Sequence, residues 1–149
     1  MSKHQTIKII SDATCRMPES RLAYNKGKAA AGCIVVDPLG GILDQRAKYL
    51  GECTVPQAEY EGLIFALDVA VEFCRHNVEV WMDSELVIRH MTGDYCIRSE
   101  AIKILYDEVK RRELRFLGRV SYFHHTRGSF WARQADELAN AEYSRNHRG

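Results

Sequence analysis

The order of periodic segments predicts an α/β fold: a mixed five-stranded sheet, its first three strands antiparallel, with helices on both faces. Three observations carry this. Three strand-like runs come first, joined by turn-forming residues, as consecutive antiparallel strands are. Two further strand-like runs are separated by helical periodicity, as strands joined through crossovers are. The 149 residues contain no internal repeat, low-complexity tract or linker, so 1–149 reads as a single domain.

Each element has its own signature. Residues 6–11 alternate and lead to Asp12, which ends the first strand. Residues 13–28 lack periodicity and hold Pro18 and Gly27; they read as a long loop, and such loops are commonly functional. Residues 29–36 form a second strand, Asp37-Pro38-Leu39-Gly40-Gly41 a hairpin turn, and residues 42–52 an outer strand with polar positions interleaved. Residues 54–76 carry the longest helical signal. Thr54 or Val55 caps it, Pro56 suits its first turn, and Tyr60, Leu63, Ile64, Leu67, Ala70, Val71 and Cys74 form one apolar stripe. Glu59 falls in its first turn, close to that stripe.

Val78, Val80 and Trp81 make a buried strand with Asp83 at its C-terminal end, the end where open α/β sheets place ligands. Ser84 caps a short amphipathic helix of Leu86, Val87, His90 and Met91, closed by Gly93. Residues 99–117 form a helix with Ile102, Leu105, Tyr106 and Val109 inward. Its outer face pairs Asp107 with Arg111 and Glu108 with Arg112, and Gly118 breaks it. Residues 120–124 are the last strand, 125–130 a loop, and 131–144 a final helix with Ala135, Leu138 and Ala139 inward. The tail, 145–149, is expected to fray.

Composition narrows the setting. No apolar run is long enough to span a bilayer, and the first ten residues lack a secretion signal, so no membrane role is expected. Cys15, Cys33, Cys53, Cys74 and Cys96 are odd in number and form no CxxC pair, which argues against a zinc site or disulfide framework and for a reducing, cytoplasmic setting. The formal net charge of +1 by itself says nothing about nucleic acid.

Four acids are placed suggestively: Asp12 after the first strand, Glu59 on the long helix, Asp83 after the fourth strand and Asp136 early in the last helix. If the first and fourth strands are central neighbours, Asp12 and Asp83 stand side by side, and like charges that close repel unless a cation lies between them. Oxygen donors without a Cys or His cluster favour magnesium or manganese. Two such ions can activate water and stabilise the leaving oxygen in phosphodiester cleavage. Taken singly, each acid is as readily a surface residue, and Glu59 and Asp136 could be placed for the helix dipole.

Three motifs then carry a resemblance. They are Ala58-Glu59-Tyr60-Glu61-Gly62-Leu63; Asp83-Ser84 with Leu86-Val87 and Met91-x-Gly93; and Ala135-Asp136-Glu137-Leu138-Ala139. In this order the chain resembles the ribonuclease H family, type 1, in its compact form without the basic handle helix. The likeness runs from Thr6 to Asn140. It implies a ribonuclease H-like fold, with Asp12, Glu59, Asp83 and Asp136 as the catalytic and metal-binding acids for two ions. It also implies hydrolysis of the RNA strand of an RNA–DNA hybrid to 3′-hydroxyl and 5′-phosphate ends. The family often carries a histidine on the loop after the last strand. His124 and His125 are the candidates, and His125 is preferred, for proton transfer or for product and metal release. Thr54, Ser84 and Thr14 would contact nucleic acid, and a monomer is expected.

The chain also departs from the family pattern. Ala13-Thr14 and a charged loop replace the family's Gly and Gly-Asn-Pro-Gly-like turn after the first Asp. Thr54-Val55-Pro56 replaces Thr-Asn-Asn, whose Asn side chains read the minor groove in relatives, where the RNA 2′-hydroxyl marks RNA. Ala132 stands where the family has Asn. These changes leave open a same-fold nuclease for DNA or branched junctions, or a binding module without catalysis. Lys110, Arg111, Arg112, Arg115 and Arg119 either grip phosphates or form a solvated, ion-paired face. Arg16, Arg21, Lys26, Lys28, Arg127 and Arg133 could add grip. Trp81 reads as core, and Trp131 as core packing beside the site.

Overall fold

Ile7 and Ile9 face one way and Ile10 the other, all fully buried, so the strand that carries them needs cover on both faces. That strand, β1 (Thr6–Arg16), lies at the centre of the sheet. The computed structural model describes residues 5–16 and 26–146. Its other strands are β2 (Gly27–Val36), β3 (Ile42–Cys53), β4 (Asn77–Met82) and β5 (Val120–His124). The order is β3-β2-β1-β4-β5; β1, β2 and β3 are antiparallel, while β4 runs parallel to β1 and β5 to β4. This is the predicted mixed sheet.

The helices are α1 (Val55–Ala70), α2 (Glu85–Met91), α3 (Glu100–Glu113) and α4 (Phe130–Asn146). Thr54 caps α1 through a capping box with Gln57, and Ser84 and Ser99 cap α2 and α3 through their hydroxyls. Gly93, at φ +84°, follows the C-cap of α2 in the left-handed conformation that glycine adopts without strain. On one face, α1 packs over the sheet and α3 packs against α1, in one core with Ile7, Ile9, Cys33, Val35, Val78 and Val80. On the other, α4 packs over Ile10, Ile34 and Val36. Among the described residues, no helix is long and apolar enough to cross a membrane.

Several boundaries differ from expectation. β1 does not end at Asp12. Its parallel ladder with β4 stops at Ser11–Met82, but antiparallel pairing with β2 continues through Asp12–Gly32 to Arg16–Lys28. Small residues make this extension possible: Ala13 and Cys15 pack on Ala29, Cys53 and Ala58, and the Cys15 thiol donates to the Cys53 carbonyl at 3.3 Å. The expected loop therefore shrinks at both ends, and its part 17–25, with Arg21, lies outside the described residues.

α1 ends at Ala70 because its last turn tightens: Glu72 N–H donates to Val69 and Phe73 N–H to Ala70. α3 ends at Glu113, four residues before the expected stop. Leu117 and Gly118 then donate to the carbonyls of Arg75 and His76, so strand alignment rather than Gly118 ends the helix. α4 starts at Phe130, one residue early, and runs to Asn146, so Arg145 and Asn146 are helical rather than frayed; the rest of the expected tail, 147–149, lies outside the described residues. Asp107 pairs with Lys103 and Arg111 with Glu108, in place of the expected Asp107–Arg111 pair, while Glu108–Arg112 forms as read.

Gly32, the cross-strand partner of Asp12, sets the distance between sheet and α4. A Cβ there would lie 2.7 Å from the Ala135 carbonyl oxygen and 2.9 Å from the Ala139 nitrogen. The helix backbone thus rests on bare strand, one residue from Asp136. Gly32→Ala is expected to cost about 1–3 kcal/mol by overpacking. Urea unfolding monitored by circular dichroism measures this, and a midpoint equal to that of the unaltered protein would contradict the contact.

Candidate active site

The end of the β1–β4 ladder opens a step in the sheet. β4 stops at Met82 while β1 carries on beside β2, so Asp12 has a strand on one side and an open edge on the other. Asp83 leaves β4 at that edge. Asp12 shares the side of the sheet with Ile10 and therefore faces α4, which brings Asp136. Glu59 approaches from α1 on the far side of the rim.

The electrostatics follow from this gathering. Asp12 is buried, and its carboxyl is pushed up from its ordinary 3.8 to about 8. Burial is the leading cause; the charges of Asp83 and Asp136 add to it, as does a hydrogen bond with Asp83. Glu59 is also raised, first by burial and then by Asp83, against the lowering effect of Ser84 and Arg127. The Ser84 hydroxyl donates to Glu59 Oε2 at 2.5 Å while its oxygen accepts from Val87 N–H at 3.3 Å. One side chain thus caps α2 and tethers the acid of α1. Arg127, from the loop before α4, approaches Asp83 at 3.4 Å with its own side chain largely in solvent.

Glu59 and Asp136 were both open to a helix-dipole explanation. Neither lies in a first turn: Glu59 is the fifth residue of α1 and Asp136 the seventh of α4, and neither first turn holds an acid. The expected first-turn position of Glu59 is corrected accordingly, and the dipole does not account for either acid.

His125 and His124 separate as alternation requires. His125 N–H donates to the Met82 carbonyl at 2.9 Å, and its ring lies 6.2 Å from Trp81, where it feels the charge of Asp83. Burial lowers its pKa, with Asp83 opposing. His124 is exposed. Thr54 accepts from Gln57 N–H at 3.3 Å, which leaves its hydroxyl proton free to donate. Thr14 lies two residues beyond Asp12 on the same side of β1. Trp81 is half-buried rather than core, stacked on Phe123. The α3 cations are ion-paired: Arg112 and Arg115 with Asp68, Lys110 with Glu113 and Arg111 with Glu108.

A divalent cation suits this donor set in kind: hard carboxylate oxygens, crowded enough that burial and acidic neighbours push the Asp12 carboxyl up. Among the described residues, no three Asp, Glu, His or Cys side chains are already arranged to hold a metal ion. Glu59 and Asp83 are turned to Ser84 and Arg127, so side-chain rotation must complete any such site.

Residues 19–141 match the family model described as Reverse transcriptase-like. The fold also superposes on LC11-RNase H1, isolated from compost by a metagenomic approach. TM-score is 0.83 at 30% identity, covering 97% of this chain and 99% of that one. The chain belongs to the type 1 ribonuclease H family. LC11-RNase H1 is also known in complex with an RNA/DNA hybrid, and that structure gives a TM-score of 0.84 at 29% identity, covering 95% and 99% of the two chains. Ribonuclease HI of Halobacterium salinarum is 41% identical over 69 residues, 46% of this chain and 35% of the relative. The bifunctional protein Rv2228c of Mycobacterium tuberculosis is 31% identical over 119 residues, 78% of this chain and 31% of the relative. The aligned parts thus span about a third of these curated relatives.

Sequence reading passed over two features of this ribonuclease H-type site. Gly32 was signalled by a lone glycine inside an apolar strand. The Tyr60 hydroxyl pairs with His90 Nδ1 at 2.7 Å and joins α1 to α2 behind Glu59 and Ser84; helical spacing could show both only as apolar-stripe positions.

The raised Asp12 carboxyl makes metal-free stability depend on pH. Its neutral form is the one the fold favours, so its contribution is intact below its ordinary 3.8 and is lost as pH rises toward about 8. In chelator, Asp12→Asn is expected to melt above the unaltered protein by a margin larger at pH 8 than at pH 5. Magnesium should raise the melting temperature of the unaltered protein most at pH 8. Thermal unfolding at both pH values measures this; a margin independent of pH would contradict the assignment.

Proposed function

We propose that the chain is a metal-dependent endonuclease that hydrolyses the RNA strand of RNA–DNA hybrids, leaving 3′-hydroxyl and 5′-phosphate ends. The observation that carries it is the rim itself, where buried Asp12 meets Asp83 and Asp136 with Glu59 tethered alongside. Repulsion among these acids gives the site a demand for cations that no packing role explains. Family membership and the hybrid complex of LC11-RNase H1 support the same reading.

In this reading Asp12, Glu59, Asp83 and Asp136 hold two magnesium or manganese ions. When bound, the ions supply a water activated for attack and charge stabilisation for the leaving oxygen. The other residues prepare and clear the site. Ser84 favours the ionised form of Glu59 by donating to it. Burial lowers the pKa of His125 and so favours its neutral form, the form that can accept and pass on a proton. Arg127 balances Asp83 and is displaced toward substrate phosphate as the site fills. Thr54 offers its hydroxyl proton to a DNA phosphate at the start of α1, and Thr14 and Ser84 line the approach.

Matched RNA–DNA, RNA–RNA and DNA–DNA duplexes, each with magnesium, manganese or chelator, test the proposal. Cleavage is expected for the RNA strand of the hybrid alone, and none in chelator. Equal cutting of DNA–DNA would sink the substrate assignment, and no cutting with either metal would sink catalysis. Asp12→Asn and Asp83→Asn should lower the hybrid rate by several orders of magnitude, and Asp136→Asn by less. His125→Ala should cost least, on the order of 10²–10⁴ at most.

A further inference from the structure

α4 packs chiefly over β1, β2 and β3, and on that side β4 and β5 present Trp81 and Phe123. These two are cross-strand partners whose rings stack at 4.8 Å and 18°. From the opposite neighbouring strand, Lys8 Nζ sits 4.4 Å from the centre of the Trp81 ring. Lysine, indole and phenyl thus form one file across three strands. The file is open at its outer end, because β5 is the edge strand and Phe123 is 37% exposed.

Lys8 also floors a groove of about 340 Å³ walled by Trp131 and the turn at Asp37 and Pro38. The acids in that groove are already engaged. Glu79 accepts from Trp81 Nε1 at 3.3 Å, and Asp37 accepts from the Leu39 and Gly41 amides at 2.8 and 2.9 Å. Among the described residues no carboxylate pairs with Lys8. Glu79 is the cross-strand partner of Lys8 but makes no ion pair with it, and a lysine beside an open aromatic stack is a pairing that single-stranded nucleic acid recognises, with phosphate to the ammonium and base to the ring. The file also continues into the candidate active site, since the His125 ring lies 6.2 Å from Trp81.

We propose that this face takes a short single-stranded extension of the substrate, with a base stacked on the outer face of Phe123 and the backbone crossing toward Lys8. The inference rests on the proposed hybrid substrate and adds to it a preference for hybrids that end in an unpaired strand. An apolar peptide is the competing occupant; it would use the same rings but would need no planar ring at position 123 and no cation.

The test compares a blunt RNA–DNA hybrid with the same hybrid carrying four unpaired nucleotides on either strand at either end. Binding is followed by fluorescence anisotropy in chelator, where nothing is cut. At least one extension is expected to tighten binding about 5- to 150-fold, the range for one stacked base. Phe123→Ala should remove that gain and Phe123→Tyr should keep it. Lys8→Gln should reduce the salt slope for the extended hybrid by about 1. The proposal is overturned if no extension tightens binding, if Phe123→Ala weakens blunt and extended hybrids equally, or if Phe123→Leu keeps the whole gain. Cleavage of the blunt hybrid in magnesium is read separately, so a failed hydrolase reading shows there and not in the extension gain.

Discussion

Contact between α4 and the bare backbone at Gly32 governs what the rim can be. A side chain at that position would lift the helix, and Asp136 would leave the field of Asp12, with which Gly32 is paired across the strands. Close approach of helix and strand therefore converts a packing detail into electrostatics. The same contact keeps Ala135 and Ala139 buried on the sheet, so stability and charge placement cannot be varied independently there.

The charges so gathered are only partly answered by the protein. Ser84 offers a hydrogen bond to Glu59, and Arg127 a largely solvent-borne countercharge to Asp83; exposed pairs of that kind contribute little. Asp12 has no countercharge, and the hydrogen bond from the Ala13 amide only partly offsets burial and two acidic neighbours, which push its carboxyl far above the usual carboxylate range. The rim is thus a site held in tension by its own residues, with side chains turned to temporary partners. Tyr60 and His90, bonded at 2.7 Å behind it, hold α1 and α2 together while those side chains turn.

Much of this was legible in the sequence. Periodicity located the four helices of the described residues, and Thr54 and Ser84 cap α1 and α2 as read, each accepting from a first-turn amide. Element order implied the mixed sheet, while the meeting of Asp12 and Asp83 depended on the first and fourth strands being neighbours, as the parallel β1–β4 ladder makes them. The continuation of β1 past Asp12 was hidden because Ala13 and Cys15 are small and carry no alternation that can be read. The early end of α3 was hidden because its cause lies forty residues away, at the carbonyls of Arg75 and His76. Trp81 looked like core because apolar pattern alone does not reveal that α4 stops short of covering β5. Turned side chains, such as Glu59 toward Ser84, leave no mark on spacing at all.

The ion pairing along α3 bears on how tenaciously nucleic acid can be held. Arg112 and Arg115 are tied to Asp68, and Lys110 and Arg111 to glutamates of their own helix. A polyanion arriving there must first compete with resident carboxylates, so few counterions are released in return. Residence on any one duplex should be brief, with the domain leaving after an encounter rather than tracking along the strand.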